Sequence, residues 1–283
     1  MVLEPIHGST VWAGSELCES DWLIEVSDSA ADPDLPGMAR LVADRLDAGP
    51  GFVVARGWRV RPPHEERFTR LFKELGRLLG TLRPQDETSE VLHVVTDAGR
   101  AIPQQRGSKN NLPVRLHTEN DGEPYPPRLV AMLCLEAAQE GGESLFASGH
   151  LVHNRVLESS THLLRRLYGD FQFGRRPERY EGTVRADVDQ VFKRRPGGVD
   201  VRYSRFWIDR GIELTGSTLE PDALAALDAV DETLLGNDVT ARMLLRPGDF
   251  VVLDNRVVLH GRTKFTDPSD SPARRRMVRL WVD

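Results

Sequence analysis

Apolar positions recur at helical spacing early in the chain and in short runs later. Leu35, Met38, Leu41, Val42 and Leu46, with Arg45 beside them, predict a helix over residues 34–47. Gly49-Pro50-Gly51 stops it. Residues 52–55 form a short apolar run, expected as a buried strand. Pro62-Pro63 opens a second helix whose apolar face is Phe68, Leu71, Phe72, Leu75 and Leu78, closed at Gly80. A strand is expected over 91–95. Residues 96–116 are polar and irregular, and a long loop there is a candidate lid. Strands follow at 129–135 and 144–146, then a helix over 150–168. A strand over 200–207 is expected after the Pro196-Gly197-Gly198 turn. Pro221 starts a helix that runs to Leu235 before Gly236. The tail is strand-rich, at 239–245, 250–253, 257–259 and 277–282, with a tight turn at Pro247-Gly248-Asp249.

Helices that lie early and strands that dominate later predict an α+β fold rather than a βαβ sheet. Antiparallel strands punctuated by turns suit a double-stranded β-helix, the jelly-roll, with flanking helices. No repeat or linker divides the 283 residues, so a single domain over 1–283 is expected. Hydrophobic residues at 40% and charged residues at 28% are those of a globular protein. No apolar run approaches membrane-spanning length, and the first residues lack a signal-peptide pattern. A cytoplasmic protein with no membrane partner is expected. Cys18 and Cys134 are too few for a disulfide scaffold or zinc ribbon. A net charge of −6 gives no nucleic-acid footprint.

The chemistry sits in three places. His117-Thr118-Glu119 is a His-x-Glu motif; in a strand, residues two apart face one side. Alone it is weak, because His64-Glu65-Glu66 fits as well, at the start of a predicted helix. His260 ends the apolar run Val257-Val258-Leu259. Two imidazoles and a carboxylate form the facial ligand set of a non-haem iron oxygenase, with positions left for a co-substrate and oxygen. Arg274-Arg275-Arg276 then supplies a cation for a dicarboxylate, or is a solvated patch. Alternation places Arg275, Met277 and Arg279 on one face.

Read together, Leu253-Asp254-Asn255-Arg256, His260-Gly261-Arg262-Thr263 and Arg275-Arg276-Met277-Val278-Arg279 resemble the C-terminal signature of the taurine dioxygenase/clavaminate synthase (TauD/TfdA) superfamily. Leu116-His117-Thr118-Glu119 and Gly141-Gly142-Glu143-Ser144 resemble its central signature. The likeness runs from about residue 51 to 281 in the family's order. Leu-His-Thr-Glu is similar to the clavaminate synthase and amino-acid hydroxylase branch.

The resemblance implies an oxygenase that consumes 2-oxoglutarate and O2 and releases succinate and CO2. His117, Glu119 and His260 would hold Fe(II). Ser144 and Arg275 would bind the distal carboxylate of 2-oxoglutarate, with Arg274 as the alternative register. Arg279 would meet an anionic group of the substrate. That substrate would be small, polar and amino-acid-like, free, within a natural-product intermediate or on a carrier. Asn120-Asp121-Gly122-Glu123 departs from the branch and leaves the substrate open. Glu119 argues against a halogenase, which has a small residue there.

Desaturation or cyclisation would use the same site. A non-catalytic small-molecule-binding barrel and a zinc hydrolase are the rival readings. His150 and His153, one helical turn apart, lack an evident third ligand. The five tryptophans read as packing residues. Arg205-Phe206-Trp207 could line the pocket or the core, and Gln85 and Asp86 could face the site.

Overall fold

The structure, a computed structural model, describes residues 3–26, 33–60, 64–85, 90–97, 109–119, 125–175, 186–267 and 274–283. Two sheets dominate. The larger orders its strands Leu23–Glu25, Phe52–Arg56, Phe250–Asp254, Leu129–Glu136, Arg276–Val282 and Leu82–Arg83, with His93–Thr96 also paired to Arg276–Val282. The smaller orders Thr240–Met243, Ser144–Ser148, Val258–Arg262 and Val114–His117. Within these sheets only Leu23–Glu25 with Phe52–Arg56 is a parallel pair among the described residues.

Strand alternation builds three cores. Phe52, Val54, Val130, Cys134, Val251, Leu253, Met277 and Trp281 of the larger sheet meet Phe146, Ala241 and Val258 of the smaller. Phe52 and Phe146 stack across that gap with centroids 4.8 Å apart. The alternate residues Val53, Ala55, Ala131, Leu133, Phe250, Val252 and Leu280 face the helices Leu35–Ala48 and Glu65–Leu79 through Val42, Phe68, Phe72 and Leu75. On the far side, Ala147 and Leu259 face Gly149–Ser159, Thr161–Leu167 and Pro221–Leu234. Fully burying one such large apolar side chain contributes about 1.5–3 kcal/mol. The architecture is mixed α+β, with helices outside two facing sheets.

Several sequence expectations are corrected. Residues 200–207 are not one strand: Gly198–Val201 pairs with Phe192–Arg195, and a helix runs over Arg205–Thr215. The aromatic residues there look strand-forming, but Trp207 and Ile208 instead pack on the helical side of the small sheet. The helix expected over 150–168 is two, broken at Ser160, whose extended backbone lets its hydroxyl cap the second helix at Leu163 N. All but the last residue of the strand Val114–His117 lie in the stretch 96–116 expected to be irregular. Of the candidate lid over 96–116, residues 98–108 lie outside the described residues, as do Pro62-Pro63 and Asp86. Trp12, Trp22, Trp58 and Trp281 are buried, as packing residues should be.

Candidate active site

Register brings two histidines together. Val114–His117 runs antiparallel to Val258–Arg262 with His117 directly opposite His260. Their ring centroids are 4.5 Å apart. Leu116 and Leu259 pack toward the outer helices, so alternation turns His117 and His260 into the space between the sheets. His260 lies within its strand rather than at its end. A Cβ on Gly261 would meet the Val114 carbonyl oxygen at 2.7 Å, so the glycine permits close approach at the bulge beside His260.

Glu119 is not aimed by strand alternation, because the strand ends at His117. Thr118 N donates to the Tyr203 carbonyl at 2.7 Å, and Tyr203 N donates to Thr118 Oγ1 at 2.9 Å. Asn255, buried just before the His260 strand, accepts from Glu119 N at 2.6 Å and donates to the Glu119 carbonyl at 2.9 Å. Its amide also donates to the Pro127 carbonyl at 3.0 Å. One ligand-type atom each from His117, Glu119 and His260 lies within 4.8 Å of the others, the only such group among the described residues.

The electrostatics suit a metal. His117 Nδ1 is 2.8 Å from the Arg115 carbonyl. A carbonyl only accepts, so Nδ1 donates there and Nε2 is left as the nitrogen that can ligate. Burial, and then the neighbouring His117, push the His260 imidazole down to about 3, against the pull of Glu119. It is therefore neutral near pH 7, the form that ligates. Its Nδ1 is buried without a hydrogen-bond partner, and its Nε2 is 3.8 Å from Glu119 Oε2. Two imidazoles and a carboxylate, buried or half-buried between sheets, fit a transition-metal ion with open positions.

Burial sorts the arginine cluster. Arg274 is exposed, Arg276 pairs with Glu65, and Arg275 is 5% exposed. Arg275 Nη1 is buried with no hydrogen-bond partner. A charged donor left unpaired in the interior costs several kcal/mol, so the seat fits an anion. Gly142, at φ +72°, lacks the Cβ that would sit 3.2 Å from Arg275 Nε. Buried Ser144 opens the neighbouring strand. Arg275 precedes the strand Arg276–Val282, whose register shifts between Arg276 and Met277. Simple alternation with Met277 and Arg279 therefore does not place it. Arg279 Nη1 donates to Glu119 Oε2 at 2.5 Å, and its Nε to Gln85 Oε1 at 2.7 Å.

A sequence profile of the taurine catabolism dioxygenase TauD, TfdA family matches residues 27–281. The chain belongs to that family. Across 99% of its length the dioxygenase is 26% identical to FR-33289 synthase of Streptomyces rubellomurinus, of which 83% is covered. Its fold matches an asparagine oxygenase crystallised with Fe(II), 2S,3S-3-hydroxyasparagine and succinate, at TM-score 0.66 and 22% identity over 87% of this chain and 79% of that one. It also matches the non-haem iron oxygenase OrfP crystallised with Fe and alpha-ketoglutaric acid, at TM-score 0.66 and 18% identity over 88% and 83%.

The remaining candidates of this dioxygenase lie outside the His117, Glu119 and His260 group. His150 meets Thr10 Oγ1 and the Val199 carbonyl, both at 2.8 Å. His153 meets Asn154 Oδ1 at 3.1 Å and the Tyr168 hydroxyl at 2.9 Å. His64 precedes a helix, and its neighbour Glu65 is held by Arg276. Arg205 pairs with Asp228 and Asp231 near 2.9 Å and 2.8 Å, and Phe206 is exposed. Sequence reasoning missed the Asn255 and Tyr203 clamps. The available signal was an asparagine two residues past the apolar run 250–253, where a buried amide must find partners.

Proposed function

We propose that this dioxygenase uses Fe(II), 2-oxoglutarate and O2 to hydroxylate an unactivated C–H bond of a small, polar, amino-acid-like substrate. Succinate and CO2 would be the co-products. The carrying observation is a buried guanidinium with an orphan Nη1 in the same structure as a His-Glu-His cluster. A metal alone explains the cluster, and an anion alone explains Arg275. A 2-oxo dicarboxylate explains both. The facing sheets are read as a double-stranded β-helix, and the whole chain as one domain working in the cytoplasm. No helix among the described residues is long and apolar enough to cross a membrane.

The bound iron and 2-oxoglutarate would supply the oxidising chemistry. His117, Glu119 and His260 would hold the metal on one face. Arg275 would pair with the distal carboxylate in bidentate fashion, joined by the Ser144 hydroxyl. Arg279, beside Glu119, would hold an anionic group of the substrate near the metal. The apolar side chains between the sheets, Phe146, Met277 and Trp281 among them, exclude water from that end. An amino-acid-like substrate is supported by the asparagine oxygenase and by OrfP crystallised with succinate and (3S)-hydroxy-L-Arg. Natural-product biosynthesis is supported by the likeness to FR-33289 synthase. Desaturation or cyclisation would use the same residues.

Anaerobic titration with Fe(II) and 2-oxoglutarate, read by the visible charge-transfer band of the chelate, tests this. Losing a charge-assisted bidentate contact removes about 2–3 kcal/mol. Arg275→Met should therefore raise half-saturation by roughly 30- to 150-fold, while Arg274→Met leaves it unchanged. A folded, iron-loaded parent without the band would sink the oxygenase reading and bring the binding-barrel and hydrolase readings forward.

A further inference from the structure

Arg262 lies two residues past His260 and belongs neither to the metal-ligand set nor to the anion seat. It is 7% exposed. Its Nη2 donates to the carbonyl oxygens of Asn110 at 2.8 Å and Leu112 at 2.5 Å. The same segment is tied twice more. Phe265 N donates to the Asn111 carbonyl at 3.2 Å, and Leu112 N donates to Asn110 Oδ1 at 3.1 Å. Asn110 is itself buried. This segment runs directly into Val114–His117, so Arg262 fastens the approach to one metal-ligand strand onto the strand that carries the other histidine.

Arg262 is also linked to the anion seat. Its guanidinium carbon lies 4.7 Å from the Phe265 ring centroid, and that of Arg275 lies 5.2 Å from the same centroid. In the sheet, Arg262 is the register partner of Ser144 on one side and Val114 on the other. The Thr96 hydroxyl holds the Arg275 carbonyl at 2.9 Å. Arg262 thus stands where the His117 strand, the His260 strand and the Arg275–Ser144 seat meet.

A dicarboxylate gripped at both ends needs its two anchors at a fixed separation. Misplacement by an ångström weakens both grips together. A guanidinium Nη2 that donates to two carbonyls of one backbone segment is suited to fixing such a separation, since that amino group is held in the rigid guanidinium plane. We propose that Arg262 is a positioning residue for 2-oxoglutarate. It clamps the Asn110 and Leu112 carbonyls beside Phe265 and so sets the spacing between His117 and the Arg275 seat. The proposal rests on the oxygenase reading.

The test compares 2-oxoglutarate with pyruvate, which has the 2-oxo acid end but no distal carboxylate. Both are titrated anaerobically into the Fe(II)-loaded full chain, with Fe(II) affinity and thermal unfolding measured alongside. Arg262→Met should raise the half-saturation for 2-oxoglutarate about tenfold or more, the range for outer partners of a metal site. Fe(II) and pyruvate binding should stay at the parent's values. In an Arg275→Met background, where the distal grip is already gone, Arg262→Met should add little.

Unchanged 2-oxoglutarate binding in Arg262→Met would overturn the clamp. So would a parallel loss of Fe(II), pyruvate and 2-oxoglutarate, which marks a merely structural arginine. Should Arg262→Met not fold, Arg262→Lys carries the test, because it keeps the charge and loses the planar, fixed amino group. A selective, smaller loss for 2-oxoglutarate is expected there, and parent-like binding overturns the clamp. A parent that forms no 2-oxoglutarate complex overturns the oxygenase reading and the clamp with it.

Discussion

Two histidine pairs lie in this molecule, and they are opposites. His150 and His153 sit one turn apart on Gly149–Ser159, and each ring nitrogen has a protein partner within 3.1 Å. His117 and His260 come from strands distant in sequence, and His260 Nδ1 has no partner although the residue is buried. The helical pair is a finished piece of core. The strand pair is unfinished without something that accepts lone pairs, and Glu119 is held beside it. Spacing nominated both pairs; saturation of their polar atoms separates them.

The largest expected effect sharpens this contrast. His260→Ala or Glu119→Ala should weaken Fe(II) binding by more than about 100-fold, beyond the loss typical of outer partners. His153→Ala should leave Fe(II) binding intact. On stability the order should reverse. His153→Ala removes a buried ring and strands the Tyr168 hydroxyl, for a loss of about 2–4 kcal/mol. His260→Ala deletes a buried atom that had no partner and should cost less. Equilibrium dialysis with Fe(II) and denaturant unfolding on the same variants check both halves. Iron lost from His153→Ala and kept by His260→Ala would dissolve the distinction.

The strand pair was legible because its residue types are scarce and chemically specific. His-x-Glu, a later histidine ending an apolar run and buried-strand arginines are visible as letters. Arg275 needed the structure, because three adjacent arginines differ only in burial: Arg274 exposed, Arg275 buried, Arg276 paired with Glu65. The two facing sheets followed from alternation in runs such as Leu129–Glu136, whose successive residues do face different cores. The helix Arg205–Thr215 was hidden, because the aromatic residues at its start read as strand while Ser204 gave only a weak start signal. The aim of Glu119 was illegible for a different reason. It depends on Asn255, which is remote in sequence and reaches Glu119 through backbone atoms that carry no side-chain signature.

That dependence gives the next test. Asn255→Ala leaves Glu119 N without its 2.6 Å acceptor and the Glu119 and Pro127 carbonyls without their donor. Stability should fall by about 1–3 kcal/mol, and Fe(II) affinity by about 10- to 100-fold. Asn255→Asp keeps the acceptor and loses both donated bonds, so it should lie between. If Asn255→Ala unfolds earlier but binds Fe(II) like the parent, the clamp serves the fold alone. The strand pair would then be placed by register only.

The smallest effect concerns pH and belongs to the helical pair. Burial, the leading cause, lowers the pKa of both His150 and His153 from the ordinary value of 6.5, and hydrogen bonds to the Val199 carbonyl and to Asn154 Oδ1 oppose it only in part. Each is thus neutral in the folded chain at a pH where the unfolded chain would protonate it. Their stabilising contribution is complete above pH 6.5 and drains away as pH falls below it, because the unfolded state binds more protons. At about 1.4 kcal/mol per pH unit for each fully coupled histidine, the loss by pH 5 cannot exceed roughly 2 kcal/mol apiece. His153→Gln keeps polar atoms but does not titrate there. Its unfolding free energy should therefore fall less between pH 7 and pH 5 than the parent's, measured on metal-free protein so that iron release adds nothing. Equal slopes for parent and variant would mean that His153 is protonated as easily inside the helix layer as outside it. The contrast between a finished pair and an unfinished one would then rest on hydrogen-bond partners alone.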